Sequence, residues 1–283
     1  MPHPALTENA VAVITGGASG IGLAAAKSFA AMGMKVCIAD LGAARLDHAA
    51  TAIAAATTRT TDAVLTVEAD VSKPDDLKRL HDKVSAQFGN VNVLMNNAGI
   101  GLGSTTSGPI DAWQRTLDVN LWGVIHGTRA FLPTMLAHGQ PGLIINTGSK
   151  QGITTPPGDT AYNISKAGVK VFTEALAHEL RNSGGARLAA HLLIPGFVFT
   201  GMTAGIRTEK PAAAWTPEQT VTFMLDSIGN GDFYILCPDN DVPRTLDERR
   251  ILWAAQDITE NRPPLSRWHP DHADAFKAFA ERR

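Results

Sequence analysis

The chain has 283 residues, of which 44% are apolar and 18% charged, with 25 basic against 27 acidic side chains and a formal net charge of −2. A chain this long buries roughly three quarters of the surface its unfolded form exposes, so core size is no obstacle. The near-neutral balance with no long basic run excludes the electrostatic footprint of a nucleic-acid binder or of a protein held on anionic lipid. No apolar stretch approaches the roughly 20 residues that span a bilayer, and the start, Met1 to Glu8, has no basic segment followed by an apolar one. Cys37 and Cys237 lie inside the apolar runs VCIAD and FYILC, where a buried free thiol is expected. A reducing cytoplasm is the expected location.

The first elements alternate. Residues 11–15 (VAVIT) read as a strand that ends in a glycine cluster, and Ile21, Leu23, Ala24, Phe29 and Met32 then recur at helical spacing up to Gly33. Strand 35–39, an alanine-rich helix from about Gly42, strand 64–68 and a helix opened by Ser72-Lys73-Pro74-Asp75-Asp76 follow. Strand 91–95 precedes a long helical stretch from Asp111 to about His138. Strand 143–147, a helix from about Thr160 to Asn182 and strand 188–194 complete six strands. Strands that alternate with helices imply a parallel sheet covered on both faces, because parallel neighbours need crossover connections. Beyond Pro195 the pattern changes: 201–215 reads as irregular, 217–228 as helix and 233–237 as a candidate seventh strand. A further 46 residues carry a helical patch around 246–255, the proline-rich run ENRPPLSRWHP and a short helix from about Asp271. The expected organisation is a doubly wound α/β domain over residues 1–237, with a substrate loop at about 197–216. An extension over 238–283 is expected to pack on the same domain or on a neighbouring subunit.

The first turn, Thr15-Gly16-Gly17-Ala18-Ser19-Gly20-Ile21-Gly22, joins a strand to the helix it feeds. Glycines let the backbone approach a pyrophosphate closely, and the free amides at a helix start attract that anion. Any tight strand-to-helix turn can use glycines, so the turn alone is a weak signal. Asp40 strengthens it. It stands at the end of the second strand, eighteen residues after Gly22, where a carboxylate accepts bonds from the adenosine ribose hydroxyls and repels a 2′-phosphate. NAD is therefore expected over NADP, although Arg45 lies near enough in sequence to neutralise such a phosphate.

Ser149 follows the fifth strand thirteen residues before Tyr162, and Lys166 stands four residues after Tyr162. A four-residue step places Tyr162 and Lys166 on one helix face. A phenol is a poor base near neutrality unless a cation favours its ionised form, and Lys166 supplies one. A surface Tyr–Lys contact is the competing reading of that spacing taken alone.

These motifs together resemble the short-chain dehydrogenase/reductase family, in its shorter single-domain branch. The turn TGGASGIG, Asp70-Val71, Asn96-Asn97-Ala98-Gly99, Asn120, Ser149, Tyr162-Asn163-Ile164-Ser165-Lys166 and Pro195-Gly196 match it in order and spacing over roughly residues 7–200. The resemblance implies a Rossmann-type fold of about seven strands. It implies Tyr162 as general acid/base, Ser149 as holder of the substrate oxygen, Lys166 as partner of Tyr162 and of the nicotinamide ribose, and Asn120 as positioner of a water. It implies cofactor contacts from Gly16, Ser19, Gly20, Ile21 and Gly22, from Asp40, Asp70 and Val71, from Asn97, Ala98 and Gly99, and from Pro195, Gly196, Val198 and Thr200. Asn97 has the alternative of only securing neighbouring strands, and Asn120 of only satisfying helix backbone. The resemblance also implies a homodimer or homotetramer joined through the long helices near Asn120 and Tyr162.

The expected reaction is hydride transfer between a secondary alcohol or ketone and NAD, with no metal. Leu102, Ile153, Pro156, Pro157, Phe197, Phe199, Met202, Ile206 and Trp215 suggest an apolar substrate body, while Lys150, Arg207 and Lys210 leave room for a carboxylate. The rivals are an NADPH-dependent ketone reductase and a non-catalytic dinucleotide-sensing regulator. The long tail departs from the branch's commonest pattern, which closes soon after its last strand.

Overall fold

Five of the strands read as continuous apolar runs because both of their faces are covered. The computed structural model describes residues 3–57, 61–183 and 187–281. Seven strands, β1 (Val11–Thr15), β2 (Lys35–Asp40), β3 (Val64–Glu68), β4 (Val93–Asn96), β5 (Gly142–Thr147), β6 (Leu188–Ile194) and β7 (Tyr234–Leu236), form one parallel sheet in the order β3-β2-β1-β4-β5-β6-β7. Side chains alternate across it. Ile14, Ile38, Met95 and Ile145 join Phe29, Leu46, Ile53 and Met224 in one buried layer, while Val13, Cys37, Leu94 and Ile144 join Leu77, Leu80, Phe131 and Leu176 in the other.

The helices of the first layer are α1 (Gly20–Ala31), α2 (Ala43–Ala54) and α9 (Pro217–Asn230); those of the second are α3 (Pro74–Phe88), α4 (Ile110–Leu117), α5 (Gly123–Ala137) and α7 (Thr160–Asn182). The helical stretch expected over 111–138 is present, with one irregularity in its course. A π-turn at Asp118–Trp122 separates α4 from α5, and Pro133 lies inside α5. Such a widened turn carries one more residue than an α-turn and re-aims its side chains; here it buries Asn120 completely. Two short helices escaped the sequence pattern, α6 (Gln151–Thr154) and α8 (Gly201–Ala204). Four residues are too few to show a period.

The chain beyond β7 forms α10 (Arg244–Thr259) and α11 (Ala273–Glu281). Trp253 holds this part together. Its indole donates to Ser266 Oγ at 2.7 Å, Arg262 stacks 3.8 Å over its ring, and Phe276 and Phe279 pack against it. Ile251 reaches into the apolar cluster of Leu192, Ile194 and Leu236, so α10 lies on the sheet's far edge. Cys37 and Cys237 are free and buried, and burial pushes the Cys237 thiol up to about 12. Among the described residues, no helix is long and apolar enough to cross a membrane.

Candidate active site

Strand order reverses between β1 and β4, and a cleft of about 1200 Å³ opens above that point at the carboxyl ends of the strands, where open α/β sheets bind ligands. The glycine turn forms one wall. Gly16 and Gly20 have φ of +65° and +54°, and a Cβ on Gly16 would stand 2.7 Å from Ala98 Cα. Gly22 faces away from the cleft: a Cβ there would come within 2.2 Å of the Gly16 carbonyl oxygen. The missing side chain lets α1 press on the turn.

Asp40 lies at the floor of this end. One carboxylate oxygen accepts the Ala18 N–H at 3.0 Å, the other the Leu41 N–H at 2.8 Å. Arg45 approaches the same carboxylate at 3.5 Å and Ser19 Oγ at 3.4 Å, its own side chain exposed. Asp70 and Val71 line the cleft, but the Asp70 carboxylate is engaged locally by the Ser72 N–H and hydroxyl. Asn97 ties three strand ends together. Its N–H donates to Thr15 Oγ1, its amide to the Thr15 and Gly16 carbonyls, and its Oδ1 accepts from Thr147. Its cleft contact and its strand-securing role coexist.

At the other end, Ser149, Tyr162 and Lys166 converge. The start of α7 is capped by Asp159, which accepts the N–H groups of Tyr162, Ser104 and Gly103 and so pins the 100–104 loop to the helix that carries the phenol. Lys166 is 3% exposed and donates to the Thr147 carbonyl at 2.7 Å, with its Nζ 5.7 Å from the Tyr162 ring centre. Burial alone pushes this ammonium down to about 8. Burial likewise lifts the Tyr162 phenol above its usual value; the Ser149 hydrogen bond pulls it back and the Asp159 charge lifts it further. Desolvation sets the direction of that shift.

Asn120 does not line the cleft. Its amide exchanges two hydrogen bonds with the Ile100 backbone, at 2.8 and 2.9 Å, and donates to Ser165 Oγ at 3.2 Å. Asn120 thereby fastens the loop after β4 to α7. Ser19, Gly20, Ile21, Ala98, Gly99, Pro195, Gly196, Val198 and Thr200 all face the cleft.

The apolar wall is smaller than the sequence suggests. Leu102 and Met202 flank the mouth, but Ile153 packs into the interior cluster, Trp215 meets Phe223 edge to face and Ile206 is fully exposed. Lys150 is paired with Asp239 and Asp247 rather than free for a substrate carboxylate, and Lys210 bonds to the Ala214 carbonyl. Asp111, Gln114, Arg115 and Asp118 also border the cleft. Their positions, offset by 0, 3, 4 and 7 from α4 into the π-turn, were a readable polar face.

Comparison with known proteins agrees with this geometry. A family model described as short chain dehydrogenase matches residues 10–211. A 1-deoxy-11-beta-hydroxypentalenate dehydrogenase from Streptomyces exfoliatus is 30% identical over 264 residues, covering 91% of this chain and 93% of the relative. Among solved structures, a short chain dehydrogenase/reductase from Burkholderia phymatum in complex with NAD superposes with a TM-score of 0.81 at 31% identity, over 92% of this chain and 97% of that one. An alcohol dehydrogenase from Thermococcus sibiricus complexed with 5-hydroxy-NADP gives 0.69 at 26% identity, over 78% and 90%. The glycine turn below the sheet's reversal point and a match along most of its length lead to one conclusion: the chain belongs to the short-chain dehydrogenase family of oxidoreductases, whose Rossmann-type fold binds a nicotinamide dinucleotide.

Proposed function

We propose that the protein is an NAD-dependent dehydrogenase of a secondary alcohol, with Tyr162 as general acid/base, Ser149 as holder of the reacting oxygen and Lys166 as its cationic neighbour. The observation that carries the reading is the convergence of a half-buried phenol, a serine hydroxyl and a buried ammonium at one end of a cleft whose other end is a glycine turn above a carboxylate. The residues fit a dinucleotide: the close approach of Gly16 to Ala98 leaves no room for side chains where a pyrophosphate would pass, and Asp40 stands where a ribose would end. When bound, the nicotinamide accepts or delivers the hydride.

The chain's own residues handle the proton and the oxygen. Ser149 Oγ holds the substrate oxygen by a hydrogen bond while Tyr162 Oη takes the alcohol proton during oxidation, or returns it to a carbonyl oxygen during reduction. Lys166 fixes one side of the phenol and reaches toward the ribose. Leu102 and Met202 at the mouth support a substrate with an apolar body. The exposed apolar side chains Trp122, Ile164 and Val171, on the π-turn and α7, support a homodimer or homotetramer, which light scattering tests. The buried free thiols agree with a reducing, cytoplasmic location, and residues 1–237 make up the catalytic domain.

Arg45 favours a second reading, an NADPH-dependent ketone reductase, because its guanidinium stands between Asp40 and Ser19. Two groups weigh for NAD: Asp40 keeps its carboxylate at the floor, and Arg45 is already its partner. Absorbance at the reduced-nicotinamide band, followed with NAD and NADP over a panel of secondary alcohols and ketones, separates the readings. Better efficiency with NADP refutes the NAD assignment, and no turnover with either cofactor leaves a dinucleotide sensor. Tyr162→Phe is expected to cut turnover by at least about 100-fold with NADH affinity retained; wild-type turnover in that variant contradicts the assigned role.

A further inference from the structure

Lys150 directly follows Ser149, yet its side chain leaves the cleft. Its Nζ lies 2.5 Å from Asp247 Oδ2 on α10 and 3.3 Å from Asp239 Oδ2, just after β7, and all three groups are buried or nearly so. Arg250 stands 3.9 Å from the other Asp247 oxygen, giving two cations and two anions in a closed cluster. Asp239 holds more than the lysine. The oxygen facing Lys150 also accepts the Phe197 N–H at 3.2 Å, and its second oxygen accepts the N–H groups of Val242 and Asp241. One carboxylate from the C-terminal extension thus touches the segments that leave both β5 and β6.

Gly196 makes that contact possible, since a Cβ there would lie 2.6 Å from Asp239 Oδ2 and 2.8 Å from Lys150 Nζ. The next residue of the extension continues the clamp. Asn240 donates from its backbone to the Ala213 carbonyl and from its side chain to that of Ala212, and Trp215 pairs through the backbone with Phe197 and Phe199. Every backbone segment at the nicotinamide end other than α7 and the loop after β4 is therefore bonded to residues 239–247 or to a segment they hold.

We propose that Asp239 and Asp247, acting through Lys150, are positioning residues for Ser149 and for the Pro195–Thr200 segment, so that the C-terminal extension is a working part of the active site. This rests on the dehydrogenase reading above for its kinetic consequence, and on the hydrogen bonds alone for its structural one. A plain anchor for α10 could be attached anywhere on the sheet edge; this one attaches next to the reacting hydroxyl and to the first backbone amide after Gly196. A misplacement of about 1 Å at a reacting group costs on the order of 100-fold in rate.

The test compares wild type, Lys150→Met, Lys150→Arg and the double variant Lys150→Met/Asp247→Leu, which removes one cation and one anion and leaves the cluster neutral. Urea midpoints, NADH affinity by fluorescence, kcat and KM for a reactive secondary alcohol, and deuterium exchange of peptides over 149–154 and 195–204 are measured on the full chain. Lys150→Met is expected to lower kcat by about 10- to 100-fold, with NADH affinity within about twofold of wild type. The double variant recovers the urea midpoint but neither kcat nor exchange protection in the two peptides, while Lys150→Arg keeps most of both. If the double variant recovers kcat together with its midpoint, or if the two peptides keep wild-type protection in it, the proposal is overturned. If protection is lost but the wild type turns over no alcohol or ketone, the clamp stands and the dehydrogenase reading falls.

Discussion

Lys166→Met is expected to stabilise the nucleotide-free protein near neutrality while abolishing its activity. The lysine is 3% exposed, and burial moves its pKa from 10.5 to about 8. At about 1.4 kcal/mol per tenfold change, keeping that ammonium charged inside the fold costs about 3 kcal/mol. Opposing the gain in the variant is the Thr147 carbonyl, which loses its donor at 2.7 Å and is left unpartnered at a cost of about 1–3 kcal/mol. Methionine keeps the unbranched stem and removes the charge, for a net gain of about 1 kcal/mol at pH 6.5. The pH dependence has a definite sign. Below pH 8 folded and unfolded chains both hold the proton and the full cost stands; between pH 8 and 10.5 the unfolded chain binds more protons, so wild-type stability rises with pH. The variant's advantage shrinks and then reverses, a swing of about 2.5 kcal/mol between pH 7 and 10. Urea unfolding of both proteins at constant ionic strength from pH 6.5 to 10 reads it directly. A variant less stable than wild type at pH 6.5, by a margin that does not change with pH, refutes the reasoning.

Gly22→Ala forces a methyl to within 2.2 Å of the Gly16 oxygen and 2.6 Å of the Asn97 amide; a loss of about 1–3 kcal/mol and weaker NADH binding are expected. Gly201→Ala, with no protein atom within 4 Å, serves as the neutral control for stability in the same urea titrations. Asp159→Asn keeps one cap acceptor but removes a charge that lifts the Tyr162 pKa. Its rise in alcohol-oxidation rate with pH is expected to shift to lower pH, and its substrate KM to increase as the Gly103 N–H is released; a pH profile superposable on wild type contradicts the electrostatic role of Asp159.

Much of the fold was legible because the sheet is buried on both faces: runs such as VAVIT and LIIN have no other use in a chain of this charge, and the turns between them carry glycine or a helix-opening proline. The helical stretch over 111–138 was legible but the π-turn inside it was not, because such a turn leaves the apolar period on either side nearly intact. In the site, Tyr162 and Lys166 were readable from a four-residue step and Asp40 from its distance to the glycine turn. Asn120 was readable from its place among the motifs but its contacts were not, since a sequence does not show that the widened turn aims its amide at the Ile100 backbone. Asp239 and Asp247 were invisible for a different reason: each meets Lys150 across about 90 residues of chain, and no local pattern encodes such a separation.

The two buried lysines show how the structure separates support from chemistry. Lys150 is matched by two carboxylates, so its charge is compensated within the fold and its burial is explained by what it ties together. Lys166 is buried more deeply, and among the described residues no carboxylate pairs with it; a single backbone carbonyl receives its proton. An uncompensated cation in that position weakens the apo-protein, and nothing in the packing calls for it, because an apolar side chain of the same length fills the space. A charge kept at such a cost, four residues from a phenol whose pKa burial raises, is what the proposed reaction calls for and the packing does not. The same reasoning ranks the two ends of the cleft: the glycine turn is shaped by what it excludes, whereas the other end carries charges that the fold must hold in place, Lys150 among them through the carboxylates of the C-terminal extension.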